Sequence, residues 1–444
     1  MNRLTLLLIA LVVSTAVLRA QEDDRLISYE RIASYSTDDL KAYWTERGVP
    51  GILAPITHGV DIYEVIYRTR WVNGSSIQAS GVYFVPQAGP GDDISTLVYN
   101  HGTVMRKERN GYDYNGESTI CKIFATDGYA VLFPDYIGLG KGDSSHLYQH
   151  LESEAQAGVD MLKAARVLNP LLGLEVNTDL FITGYSQGGH STMALHKTLE
   201  EEYATVFRVT ASSPMSGAYD MANSQAKAMV VEYAQPFYLP YLIYSYDKAY
   251  PDTWPGDIDA IWRPPFDTII PNLFDGHQRI SNANAALPAV PMMMVREEIV
   301  DDFLHDPDFF FRRLLEENQV YDWTPQAPVQ ICYCRDDEEV YFENALTAYE
   351  TMRSNGADRV LLTHVGAHLT HFQCATFALF HSKYFFDSIR DGNPDGSRAM
   401  GIRRFVLRLG KFIEKRKNKK RAKRERREER RTTPAEVISV TGED

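Results

Sequence analysis

The apolar positions of the chain change rhythm several times, and each change marks a unit. Leu4 to Leu18 is an almost unbroken apolar run between Met1-Asn2-Arg3 and Arg19-Ala20-Gln21. At about 15 residues it is short of the ~20 of a membrane span, and it has the three-part form of a secretory signal peptide. Asp39 to Arg47 reads as a short helix. Ile62 to Val72 and Ile77 to Val85 read as strands joined at Asn73-Gly74, a strong tight-turn signal, and so predict a hairpin. Short apolar runs then alternate with helical patterns. The runs are Thr96 to Tyr99, Tyr129 to Phe133, Leu180 to Thr183 and Val209 to Ala211. Between them lie a helix from about Glu117 that ends at Gly128, one carrying Ala155, Val159, Leu162 and Ala165, and one from Gly189 carrying Met193, Leu195 and Leu199. This order predicts an α/β fold: an antiparallel start, then a mostly parallel sheet with helices on both faces.

The alternation stops between Pro214 and Pro328. That stretch is dense in Tyr, Phe, Trp and Pro, with Met292-Met293-Met294 near its end, and reads as a mostly helical insertion over the carboxyl edge of the sheet. Its aromatic and Met residues suit the insertion's own core better than a substrate surface, and some can serve both. Strands resume at Val329 to Cys334 and Val360 to Leu362, and Phe372 to Ile389 reads as a closing helix. The expected organisation is a signal peptide (1–20), a core in two parts (21–213 and 329–391), a cap (214–328), and a loop with a basic tail (392–444).

Composition sharpens this picture. With 444 residues, 44% of them hydrophobic, the chain can bury a large core. Its net charge of −13 is unevenly divided: residues 401–444 hold 16 Lys/Arg against 7 Asp/Glu, so the rest is strongly acidic. The four cysteines, Cys121, Cys332, Cys334 and Cys374, fit no zinc spacing. Cys374 could pair with either Cys332 or Cys334.

The stretch Thr178 to His190, T-D-L-F-I-T-G-Y-S-Q-G-G-H, carries the chemistry. A strand, a glycine-flanked serine and a helix follow in the order a nucleophile elbow needs, with Gly184 and Gly188 small so that the backbones pass closely. Ser186 is the expected nucleophile. A serine needs a base oriented by a third group, and both are expected after it in the chain. The run Asp336-Asp337-Glu338-Glu339-Val340 follows a strand, and its D-x-x-V form selects Asp337 over Asp336; a solvated acidic turn or a cation site is the competing reading. Among His364, His368 and His371, the last stands just before the closing helix and is the expected base, with His368 second. Their spacing could suit a metal, but no carboxylate lies among them, so no metal is expected. The backbone N–H of Gln187 and an N–H from the His101-Gly102-Thr103 loop, that of Thr103, are expected to form the oxyanion hole. His101 precedes the serine and is expected to shape that loop.

The motifs G-Y-S-Q-G-G-H, P-D-Y-I-G-L-G (from Pro134) and T-H-F-Q-C-A (from Thr370) resemble the secreted lipase and esterase branch of the α/β-hydrolases and are similar to those of fungal secretory lipases. The resemblance spans roughly Ile62 to Arg390 and is faint through the cap. It implies a Ser-Asp-His triad, hydrolysis of small-molecule or lipid carboxylic esters without a cofactor, and a supporting place for Asp135 beside the oxyanion pocket. The chain departs from the family at Cys332-Tyr333-Cys334-Arg335, where many members carry His-Gly, and in its basic tail.

In that tail Ile402, Phe405, Val406, Leu409, Phe412 and Ile413 recur at helical spacing. The preferred reading docks this stripe on the acidic body; the other lays a basic amphipathic helix on an anionic membrane. Nucleic acid is not an expected partner, and the oligomeric state is open. The expected function is a secreted or periplasmic serine hydrolase acting on esters. A peptidase or amidase on the same triad and a catalytically silent surface-binding protein are the alternatives.

Overall fold

Nine strands form one sheet in the order β1-β2-β3-β5-β4-β6-β7-β8-β9. They are β1 (Leu26–Tyr35), β2 (Val60–Arg70), β3 (Ser76–Pro86), β4 (Ser95–Asn100), β5 (Tyr129–Pro134), β6 (Leu180–Tyr185), β7 (Ala211–Met215), β8 (Val329–Cys334) and β9 (Val360–Gly366). This computed structural model describes residues 25–114, 116–253, 256–393, 396 and 406–420. The expected signal segment lies outside the described residues.

The first three strands and β5 pair antiparallel, and every pair from β5 through β4 and β6 to β9 is parallel. Burial explains the division. All residues of β5 and β6 are buried, as continuous apolar strands in a sheet covered on both faces must be. The edge strand β1, L-I-S-Y-E-R-I-A-S-Y, is largely exposed and has no clean alternation, which is why the sequence gives no sign of it. Its charged Glu30 and Arg31 discourage further strand addition at that edge.

Helices α1 (Thr37–Arg47), α2 (Ser118–Ala125) and α11 (His371–Arg390) cover one face, where Leu40, Trp44, Phe124, Leu379 and Phe386 share a core with the sheet. On the other face lie α3 (Leu151–Leu172), α4 (Gln187–Glu202) and α10 (Glu343–Ser354), packed through Val159, Leu162, Leu195, Met193 and Met352. Ser36 caps α1 in a reciprocal capping box with Asp39, and Gly48 closes it in a left-handed conformation.

The strand expected at Val209 to Ala211 lies further on: β7 is Ala-Ser-Ser-Pro-Met, and Pro214 still pairs in register with Gly184. Its polar residues hide it from a reading by apolar runs. Between β7 and β8 the chain forms α5 (Tyr238–Ala249), α6 (Phe266–Ile269), α7 (Ile280–Ala286), α8 (Glu297–His305) and α9 (Phe310–Glu317) with shorter helical turns. Trp262, Tyr246, Met294, Phe303 and Leu315 give this region a core of its own. A last helix, α12 (406–420), follows α11. It meets the docking expectation for the tail only in part: Val406 packs against the core and Leu407 is buried, whereas Leu409, Phe412 and Ile413 are exposed. Ile402 and Phe405 lie outside the described residues.

Candidate active site

The carboxyl ends of β4, β6, β8 and β9 meet where a parallel sheet offers its binding crevice. At the end of β6, Ser186 takes φ 62° and ψ −121°, a strained conformation for a residue with a side chain. Its N–H donates to the Met215 carbonyl at 3.0 Å, and α4 begins with the next residue. The flanking glycines are dictated by space. A Cβ on Gly184 would sit 2.4 Å from the Gly188 carbonyl oxygen, and one on Gly188 would sit 2.0 Å from that of Asn100. Gln187 is the first residue of α4, so its N–H has no acceptor within the helix. Its side chain Nε2 donates to Glu154 Oε1 at 2.7 Å and to His146 Nε2 at 2.8 Å.

Glu154 is fully buried beneath the elbow. It also accepts from His190 Nδ1 (2.8 Å) and Ser191 Oγ (2.6 Å), while His190 Nε2 reaches the Asn318 carbonyl at 2.8 Å. Burial opposes the charge of Glu154, but His190 and the hydrogen bonds outweigh it and hold the carboxyl below its ordinary range. Burial drives His146 down to about 4, which leaves a neutral ring accepting from Gln187. Sequence reading missed this network, because one Glu in the first turn of an apolar helix gives no local signal.

The loop after β4 lies against the serine: a Cβ on Gly102 would be 3.9 Å from Ser186 Cβ. The Gly102 N–H donates to Glu117, a half-buried residue whose carboxyl is pushed up to about 7 by desolvation. His101 is buried among the rings of Tyr114, Phe133 and Tyr136, with Nδ1 2.7 Å from the Gly102 carbonyl, and burial lowers its pKa. Thr103 is buried with its Oγ1 3.4 Å from the Tyr148 hydroxyl. The Asp135 carboxylate is committed elsewhere, to Ser80 Oγ at 2.6 Å and Arg109 Nε at 2.7 Å; its carbonyl, 3.3 Å from His101 Nε2, is its link to this loop.

His371 opens α11, whose N-terminus is closed by a Thr370–Gln373 capping box. Its Nδ1 lies 2.8 and 2.9 Å from the two oxygens of Asp337. The D-x-x-V spacing has a reason: Asp337 Oδ1 accepts the backbone N–H of Glu339 (3.1 Å) and of Val340 (2.9 Å). Tyr185, the residue before Ser186, donates its hydroxyl to the His371 carbonyl at 2.6 Å, and the two rings stand 4.8 Å apart. Asp336 and His368 form a separate pair at 2.9 Å, about half exposed. His364 lies against Tyr333. The three histidines thus have three different partners.

Glu339, also missed from sequence, places Oε2 3.9 Å from His371 Nε2 and is held by Tyr238 (3.0 Å) and Gln235 (2.7 Å) of the inserted region. Burial works against a charged His371, but the charge and hydrogen bond of Asp337, then Glu339 and Glu338, raise its pKa to about 9. Cys334 and Cys374 form a disulfide that joins the strand end before Asp337 to the helix that begins at His371; Cys121 and Cys332 are buried and free. Ser186 opens into a cavity walled largely by apolar residues of the insertion, among them Met221, Met229, Leu239 and Leu242.

The secretory lipase family model matches residues 108–213. The chain has the α/β-hydrolase fold and is similar to lipases and esterases built on it. A structure from Legionella pneumophila described as a hydrolase is 27% identical, with a TM-score of 0.75 over 85% of this chain and 100% of that one. The ligand-bound rice cell wall degrading esterase LipA of Xanthomonas oryzae is also 27% identical, with a TM-score of 0.71 over 81% of this chain and 95% of that one. Candida antarctica lipase A in its closed state shares the fold at 14% identity, with a TM-score of 0.62 over 84% of this chain and 85% of that one. No curated protein sequence shows significant similarity to the chain. Together the family match and these neighbours make the protein a carboxylic ester hydrolase.

Proposed function

We propose that this hydrolase is secreted and cleaves its ester through an acyl-enzyme on Ser186, with His371 as base and Asp337 as the group that orients it. The observation that carries the reading is the grip of both Asp337 oxygens on His371 Nδ1, with His371 held against Tyr185, the residue before Ser186 in the strained turn. With Nδ1 so occupied, the ring offers Nε2 for proton transfer. Ser186 Oγ attacks the ester carbonyl carbon as Nε2 takes its proton. The resulting oxyanion accepts from the N–H groups of Gln187 and Thr103. Collapse breaks the C–O bond, and the departing alkoxide leaves as alcohol with the proton from Nε2. Water then attacks the acyl carbon, giving one proton to His371, and the acid departs as Ser186 recovers its hydrogen.

The apolar cavity beside Ser186 suits an acyl chain or an apolar alcohol. Secretion is supported by the likeness to secretory lipases and by the disulfide, which an oxidising compartment preserves. Among the described residues no helix is long and apolar enough to cross a membrane.

The test is labelling by a fluorophosphonate probe together with turnover of nitrophenyl esters from acetate to palmitate. Wild type should be labelled and turn over, and Ser186→Ala should lose both. Labelling that persists in Ser186→Ala, or faster cleavage of a matched peptide anilide than of the esters, would overturn the reading.

A further inference from the structure

Helix α12 has two faces of opposite character. On the inner one, Leu407 is buried and Gly410 lets the helix approach closely, since a Cβ there would stand 3.1 Å from the Phe377 ring. Lys411 donates to the Val365 carbonyl, and Asn418 bonds both the Gln373 side chain (2.8 Å) and the His368 carbonyl (3.0 Å). The helix is therefore fixed to α11 and to the loop that leads into His371. On the outer face Leu409, Phe412 and Ile413 are 49%, 51% and 45% exposed. Their i, i+3, i+4 spacing makes them one ridge. Arg408, Lys415, Arg416, Lys417, Lys419 and Lys420 are exposed around that ridge, and Glu414 pairs with Lys417 at 2.7 Å.

This arrangement leaves apolar area in water that docking on the body would have buried. The apolar side chains that could have docked on the acidic body point away from it, within a segment holding seven Lys/Arg and one acidic residue. Charge alone would suit any polyanion, but a soluble polyanion leaves the Leu-Phe-Ile ridge in water. An anionic lipid surface satisfies both, because its boundary takes apolar side chains and its headgroups attract the cations.

We propose that the outer face of α12 docks on an anionic lipid surface, with Leu409, Phe412 and Ile413 entering the headgroup–acyl boundary. The docked helix lies along that surface, and its inner face holds the start of α11. A lipid surface so engaged is brought to the end of the molecule that bears His371. The docking itself does not depend on the chemistry of Ser186.

The experiment is co-sedimentation of the full chain with vesicles of phosphatidylcholine, with and without phosphatidylglycerol, at about 0.1 M salt, where charges act over roughly 10 Å. Wild type should pellet with the anionic vesicles. The triple variant L409S/F412S/I413S and the variant K415E/R416E/K419E/K420E should each lose about tenfold or more in partition coefficient. Both variants should keep the wild-type melting temperature and nitrophenyl acetate turnover, which shows that they are folded and leaves the active-site reading a separate question. Wild type that stays in the supernatant, or a serine variant that partitions as wild type does, overturns the proposal. Retention of wild type and serine variant alike on heparin, without vesicle binding, overturns it in favour of a polyanion site.

Discussion

At the residue scale the outcome turns on which neighbours each side chain has. Asp336 and Asp337 are adjacent, yet one faces His368 near the surface and the other holds His371 in a buried contact. Asp337→Asn should lower kcat by about 10⁴-fold, because an amide can stabilise the wrong tautomer, whereas Asp336→Asn should stay within about threefold of wild type; steady-state kinetics decide between them. The His371 ring carries a further consequence. Raised to about 9, it is largely protonated near neutral pH and cannot then accept the Ser186 proton, so kcat/KM should climb along an acidic limb toward pH 9. Asp337, Glu338 and Glu339 supply the negative charges that face it, and Tyr185 lies against its ring. Glu339→Gln removes the charge 3.9 Å from Nε2 and should move the limb to lower pH by about one unit, as a pH–rate profile will show. The stability effect has a definite sign. Because the folded value exceeds the ordinary 6.5, the contribution of this charged ring is complete below about pH 6.5 and is lost as pH rises through about 9.

At the element scale the proposed site depends on two segments: the turn after β8 carries Asp337 and the start of α11 carries His371. The disulfide Cys334–Cys374, whose cysteines are 40 positions apart, ties these two together. Loop-closure entropy assigns such a bond roughly 4 kcal/mol. Cys374→Ser should therefore lower the melting temperature in calorimetry. At temperatures where the variant remains folded it should lower kcat more than it raises KM, since the geometry of His371 and Asp337 is what loosens. Both cysteines stood out in the sequence, but which partner Cys374 takes depends on where α11 lies on the sheet. The strand β7 was hidden for a related reason: its serines and proline are tolerated only because the neighbouring strands β6 and β8 complete its pairing.

At the scale of the whole molecule, the insertion between β7 and β8 forms one side of the cavity beside Ser186 while keeping its own core. Tyr241 donates to the Val104 carbonyl at 2.9 Å and stacks on Tyr148 at 4.8 Å, so the insertion is tied to the loop that carries Thr103. Leu242 lies on the cavity wall. Leu242→Trp should fill that space and reduce kcat/KM for nitrophenyl palmitate by about tenfold or more while sparing the acetate ester, since one added ring displaces several methylenes of a bound chain. Equal losses across the ester series would place the acyl chain elsewhere.

The sequence by itself determined the alternation of strands and helices, the glycines around Ser186 and the order of serine, acid and histidine. These are set by local periodicity and by turn sterics, which act over a few residues. Tertiary structure alone decided that Cys374 pairs with Cys334, that Glu339 and the buried Glu154 join the site, and that the apolar ridge of α12 turns outward. Each of those outcomes depends on contacts between segments distant in the chain, and no local pattern of residues encodes the surface that another segment will present.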